Sequence, residues 1–140
     1  MSLMKKTLFA ILLAFTGVAF ANDMRMPYAA VIDGDTIRSS VQLPCPLCNV
    51  YIRIKGIDTP ESNHLAQCEK ERVTGMAAKK YLQSVFIGKT EFMARNMSWD
   101  KYGGRILADV ELDGRDIAKD LIERGYAKPY SGRGRKPNWC

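Results

Sequence analysis

Over residues 50–55, apolar Val50, Ile52 and Ile54 alternate with polar Tyr51, Arg53 and Lys55. A period of two belongs to a strand with one buried face, so the stretch predicts a strand. Residues 28–32 are apolar enough for a first strand, and the Asp33-Gly34 turn signal leads into a second through Thr36, Ile37 and Arg38. Strand character returns over residues 89–100, through Thr90, Phe92 and Met97, and over 105–112, through Ile106, Leu107 and Val110. Helical spacing occurs twice. Residues 68–87 carry a broad stripe of Val73, Met76, Ala77, Leu82, Val85 and Phe86, ended by Gly88, with Gly75 a mild internal cost. Residues 116–124 carry Ile117, Leu121 and Ile122, with Gly125 at the C-terminal cap position. Residues 39–49, with Pro44 and Pro46, read as a loop. The pattern predicts an α+β, mainly β fold: a five-stranded OB-type barrel with a helix inserted after strand 3 and a second short helix near the C-terminus.

The first residues belong to a different class. Lys5 and Lys6 precede an apolar run over residues 8–20, and Ala19-Phe20-Ala21 matches a small-x-small cleavage site. Residues 1–21 therefore predict a signal peptide cleaved after Ala21, leaving residues 22–140 as a single domain, periplasmic or secreted. Nothing in that domain demands more than a monomer. The whole-chain charge of +6 falls by two with Lys5 and Lys6 and stays basic, which suits a polyanion partner such as nucleic acid. Cys45, Cys48, Cys68 and Cys140 all follow the leader. In an oxidising compartment an even count favours two disulfides, with three connectivities open. The preferred pairing is Cys45 with Cys48 and Cys68 with Cys140, since the latter staples the tail. A zinc site from Cys45, Cys48, Cys68 and His64 or Cys140, or a redox dithiol at Cys45 and Cys48, are the alternatives.

Candidate chemistry gathers around the third strand. Asp33 and Asp35 stand two apart, so an extended backbone points both carboxylates the same way, at a cost in repulsion unless a cation or an arginine lies between them. A hairpin turn with a solvent-facing acid is the simpler reading of that pair. Gly56 interrupts the alternation as a bulge or a close backbone approach would. Pro60 fixes its own φ and pushes Thr59 into an extended conformation, presenting Asp58, the Thr59 carbonyl and Glu61 on a stiff corner. A guanidinium, two carboxylates and a rigid carbonyl so close together suit a metal and phosphate site, or simply a capped turn.

Three segments occur in order: Ile32-Asp33-Gly34-Asp35-Thr36, Arg53 followed by Asp58-Thr59-Pro60-Glu61, and Asp100-Lys101-Tyr102-Gly103-Gly104-Arg105. Together they resemble the staphylococcal nuclease (thermonuclease) family over about residues 28–130. The stretch from Leu121 to Lys128 also looks like that family's penultimate helix and its exit. The resemblance implies an OB-type barrel with helices packed on it. It implies Asp35, Asp58 and the Thr59 carbonyl as Ca2+ ligands, Asp33 as an acid close behind the metal, Glu61 as general base, and Arg53 and Arg105 as phosphate holders. The activity it implies is calcium-dependent endonucleolytic cleavage of DNA and RNA, leaving 3′-phosphates. The side-chain chemistry agrees. Calcium takes oxygen ligands, a carboxylate can take a proton from attacking water, and arginine forks match phosphate oxygens.

Two departures from the family pattern stand out. Two glycines, Gly103 and Gly104, precede Arg105 where the family usually has one. The extra residue either shifts Arg105 off the phosphate or is absorbed in the turn with the strand in register, and absorption is the expectation. The chain also stops at Cys140, where well-known members carry a further helix, and a Cys68–Cys140 bridge is expected to take over its stabilising role. Lys101, Tyr102 and Tyr130 are candidates for contacting a nucleotide, the tyrosines by stacking on a base, with core packing as their alternative. Arg133, Arg135 and Lys136 either track the phosphate backbone or form a solvated tail. The competing functional reading is a non-catalytic OB-fold nucleic-acid-binding module that has lost activity. Asp35, Arg53, Asp58, Glu61 and Arg105 together argue against it, because a binder needs no positioned base.

Overall fold

The computed structural model describes residues 23–41 and 49–140. Residues 1–21, where a leader is expected, and Cys45 and Cys48 with their expected pairing lie outside the described residues. Five strands make the barrel: β1 (Met24–Asp33), β2 (Thr36–Ser40), β3 (Asn49–Ile54), β5 (Glu91–Trp99) and β6 (Arg105–Leu112). Short strands β4 (Ile57–Asp58), β7 (Arg115–Asp116) and β8 (Lys128–Pro129) and helices α1 (Glu69–Val85) and α2 (Ile117–Glu123) complete the order. The sheet runs β3-β2-β1-β5-β6-β7, and a parallel pairing of β3 with β6 closes the barrel. This is the expected OB-type α+β fold.

Closure depends on one long strand serving two neighbours. Residues 24–27 of β1 pair with β5 and residues 28–33 pair with β2. Register shifts after Tyr28 and Val31 mark irregularities that bend the strand between them. The predicted first strand was shorter because Met24 to Pro27 show no clean alternation; their place is set by pairing with β5. Inside lie Ile37, Ile52, Ile54, Phe92, Ala94, Ala108 and Val110, joined by Leu82 and Phe86 near the end of α1 and by Ile117 and Leu121 of α2. Tyr28 stacks on Phe86 at 4.4 Å between ring centroids, fastening the end of α1 to the barrel.

The apolar stripe expected along α1 holds only in its second half. Leu82 and Phe86 are buried and Val85 half-buried, but Val73, Met76 and Ala77 face solvent. The face turned inward is Glu71, Gly75, Ala78 and Leu82, at helical spacing. The first turns of α1 lie against the polar loop at residues 60–61 rather than on apolar sheet, so an acid and a glycine occupy that face. Gly56 is neither the bulge nor the close backbone approach expected but part of the turn between β3 and β4: its φ is +78° and no atom approaches the place of a side chain.

Candidate active site

Two close approaches at glycines and one short strand pairing bring the acidic residues together. The β1–β2 hairpin turns at Gly34-Asp35, and the Asp33 carboxylate accepts from the Asp35 amide at 3.2 Å. A Cβ on Gly34 would lie 2.9 Å from Thr59 Oγ1, so the missing side chain lets the hairpin tip rest on Thr59. A Cβ on Gly75 would lie 2.3 Å from the Glu61 carbonyl oxygen, so only glycine lets α1 touch the loop there. From the same helix, Glu71 accepts from the Glu61 amide at 3.3 Å and from the Gln67 amide at 2.7 Å. Asp58 is fixed by the β4–β8 pairing, opposite Lys128, while the Tyr130 amide donates to Gly56 at 2.9 Å.

Arg53, near the C-terminal end of β3, joins these acids. Its Nη1 lies 2.7 Å from Asp35 Oδ2, and its Nη2 lies 3.8 Å from Asp58 Oδ1 while donating to the Ile57 carbonyl at 3.4 Å. The tail adds a second cation: Lys136 Nζ is 3.3 Å from Asp58 Oδ1 and 3.5 Å from Glu61 Oε1. Trp139 Nε1 donates to Asp58 Oδ2 at 2.9 Å. Asp58 is 2% exposed, and its buried Oδ1 accepts no hydrogen bond among the described residues. Burial pushes the Asp35 carboxyl up to about 6; Arg53 pulls it down and Asp33 pushes it further up. Burial alone would lower the Arg53 and Lys136 values. The carboxylates of Asp35, Asp58 and Asp33 outweigh it for Arg53, and those of Asp58 and Glu61 outweigh it for Lys136, so both are raised.

Above this cluster opens a cleft of about 620 Å³. Asp33, Asp35, Arg53, Thr59, Glu61, Lys101, Tyr102, Arg105 and Tyr130 all line it. Asp58 lies beneath its wall, reached through Arg53 and Lys136. Gly103 and Gly104 take up the turn at φ of +71° and +72°, closed by hydrogen bonds from the Gly103 amide to Asp100 and from the Asp100 amide to Arg105. Arg105 therefore enters β6 in register, opposite Tyr51 of β3. Its Nη2 and Nε lie 2.6 and 2.9 Å from Asp100 Oδ2. Tyr102 is 78% exposed and Tyr130 half-buried at the cleft, so neither belongs to the core. Arg133 lines the cleft, Arg135 faces solvent, and Lys136 turns inward to the carboxylates.

Cys68 and Cys140 are joined by a disulfide, which leaves neither sulfur for the alternative zinc site. Four residues have roles that the sequence does not predict. From the tail, Lys136 and Trp139 reach in as partners of Asp58, Asp100 holds Arg105, and Glu71 holds the Glu61 backbone. Asp100 sits in the third segment, where the short turn to Arg105 already keeps the two close along the chain. Glu71 reads from sequence as an ordinary acid in a first helical turn, and nothing local marks it.

The donors available to a metal are all oxygen, as a hard cation requires. Among the described residues no three His, Cys, Asp or Glu side chains converge as a ready-made cage. Asp35, Asp58 and the Thr59 carbonyl would be the protein ligands, leaving other positions to water and substrate. Oδ1 of Asp58 is buried and, although Arg53 and Lys136 lie within ion-pair distance, accepts no hydrogen bond among the described residues, so the donor set fits such an ion.

The sequence pattern of the family described as Staphylococcal nuclease homologue matches residues 51–138, more than half of the chain. The chain belongs to this family. It is also similar to a Probable endonuclease LCL3 of Schizophyllum commune, 28% identical over 95 residues, covering 61% of this chain and 31% of that protein. The chain thus spans about a third of the length of that curated relative. The span matched to the staphylococcal nuclease homologues holds Arg53, Asp58, Thr59, Glu61, Arg105 and Lys136. The hairpin bearing Asp33 and Asp35 precedes it and is tied in by the Arg53–Asp35 ion pair.

Proposed function

We propose that this staphylococcal nuclease homologue is an exported, calcium-dependent endonuclease that hydrolyses DNA and RNA to 3′-phosphate products. The observation that carries the reading is the meeting of Arg53, Glu61 and Arg105 in one cleft that Asp35 also lines, with the Asp58 carboxylate beneath its wall and ion-paired to Arg53. Export is supported by the leader-like residues 1–21 and by the Cys68–Cys140 disulfide, which suits an oxidising compartment.

Each side chain has a separable task. The guanidinium forks of Arg53 and Arg105 hold non-bridging oxygens of the scissile phosphate, and Arg105 exchanges Asp100 for substrate as it does so. Calcium, when bound, supplies positive charge that lowers the repulsion between the phosphodiester and its nucleophile. Glu61 takes the proton from a water as its oxygen bonds to phosphorus. The P–O5′ bond breaks, and the released 5′-oxygen takes a proton from solvent. The Glu71 hydrogen bond to the Glu61 amide keeps the base on its corner.

The test is cleavage of labelled single-stranded DNA and RNA by the oxidised protein, in calcium and then in chelator, beside Glu61→Gln. Cutting should need calcium and should slow by about 10²- to 10⁴-fold in the variant, with nucleotide binding spared. Near wild-type cleavage by Glu61→Gln would remove its role as base, and equal cutting in chelator would remove the metal. Salt-sensitive binding without cutting would make the protein a binding module.

A further inference from the structure

The tail does more than end the chain. Lys136 reaches Asp58 Oδ1 at 3.3 Å and Glu61 Oε1 at 3.5 Å, from a side chain that is otherwise half exposed. It touches one oxygen of the metal-ligand candidate and one of the candidate base. Its position is fixed rather than casual. Cys140 is bonded to Cys68, the N-cap residue of α1, and the Cys140 amide donates to the Asn138 side chain at 3.0 Å. Lys128 donates to the Asn138 carbonyl at 2.8 Å and lies 4.3 Å above the Trp139 ring. Trp139 in turn holds Oδ2 of Asp58, which leaves Oδ1 as the oxygen offered to cations.

We propose that Lys136 is a tethered cation that competes with the divalent ion for Asp58, so that the disulfide-pinned tail sets the metal affinity of the site. The inference rests on the calcium-dependent reading above. Oδ1 of Asp58 is buried and has one ammonium and one guanidinium within 4 Å. An ion that takes this oxygen repels both cations beside it, and the closer one, Lys136, stands on a flexible, half-exposed stem while Arg53 is more deeply buried, so the ammonium is the cation that gives way. Whatever free energy Lys136 gains from Asp58 in the metal-free site is therefore subtracted from metal binding. Displaced from Asp58, Lys136 still has Glu61 and the phosphate cleft within reach of its flexible stem. In this scheme it is a positioning residue: it acts on the ion through Asp58.

The experiment is calcium binding by the oxidised, full-length domain, read by calorimetry and independently by Trp139 fluorescence in a Trp99→Phe background, which leaves Trp139 as the sole tryptophan. Lys136→Gln should bind calcium about tenfold more tightly, within the range usual for coupling between two ligands. Lys136→Arg, which keeps the charge on the tail, should stay near the wild-type value. Lys101→Gln removes a charge from the same cleft where the lysine contacts the Gly132 carbonyl instead, and should change affinity much less. Unchanged or weaker binding by Lys136→Gln would overturn the competition while leaving the calcium reading intact. An equal gain in Lys101→Gln would reduce the effect to general charge and overturn it as well. Absence of calcium binding in every protein would overturn the calcium reading and this inference with it.

Discussion

Gly75 shows how much a single atom decides. In a solvent-facing turn, alanine in place of glycine stabilises a helix by about 1 kcal/mol. Here the added methyl would fall 2.3 Å from the Glu61 carbonyl oxygen and 2.7 Å from that of Pro60, both backbone atoms. Helix or loop must move. Gly75→Ala should therefore lower unfolding stability by about 1–3 kcal/mol, the usual cost of overpacking. It should also slow cleavage by about 10²-fold, as a misplaced base does. Denaturant titration and turnover of the same preparation check both, and a stability gain with an unchanged rate would sink the argument. From sequence, Gly75 reads as a small cost inside a helix; the reason for it lies across the fold, in residues 60–61.

At the scale of elements, α2 is held by charge as well as by Ile117 and Leu121. Its N-cap, Asp116, accepts from the Lys119 amide at 3.1 Å. Asp120 faces inward, accepts from Tyr81 of α1 and from Arg124, and pairs with Arg115 of β7 at 3.4 Å. Burial alone would raise the Asp120 carboxyl, but the Tyr81 and Arg124 hydrogen bonds and the Arg115 and Arg124 charges outweigh it and hold it below the usual carboxylate range. A depressed folded-state value gives stability that is present above the unfolded-state value and is lost as pH falls through the folded one. Asp120→Asn should cost about 1–3 kcal/mol at pH 6. The gap to wild type should narrow steadily in acid as that carboxyl takes up its proton. Equal stability of the two proteins at pH 6, or a gap that does not depend on pH, would refute the assignment. Asp120 is not among the cleft-lining residues, so turnover should not change.

For the molecule as a whole, the disulfide matters through its span. Cys68 and Cys140 are 72 residues apart, and the loop they close contains α1, β5, β6, α2 and the tail. Constraining the unfolded chain over such a span is typically worth about 2–4 kcal/mol. Cys140→Ser should lower unfolding free energy by that amount in non-reducing buffer, and unaltered stability would show that the tail is held by its other contacts alone.

The sequence by itself determined the barrel, the two helices and the local groupings of the site. The alternation of Ile52 and Ile54 with Tyr51 and Arg53 follows directly from strand geometry. Asp58, Thr59 and Glu61 are bound to one corner by Pro60, and Asp100 and Arg105 flank one short turn, so their proximity is covalent. The α1 stripe misled at Val73, Met76 and Ala77 because periodicity reports the spacing of apolar residues, not what the inward face meets. Only the tertiary structure decided that Trp139 bonds to Asp58 across 81 residues and that Lys136 lies between Asp58 and Glu61. Contacts of that separation are fixed by the β4–β8 pairing and the Cys68–Cys140 bond, which act between remote segments and leave no period along the chain.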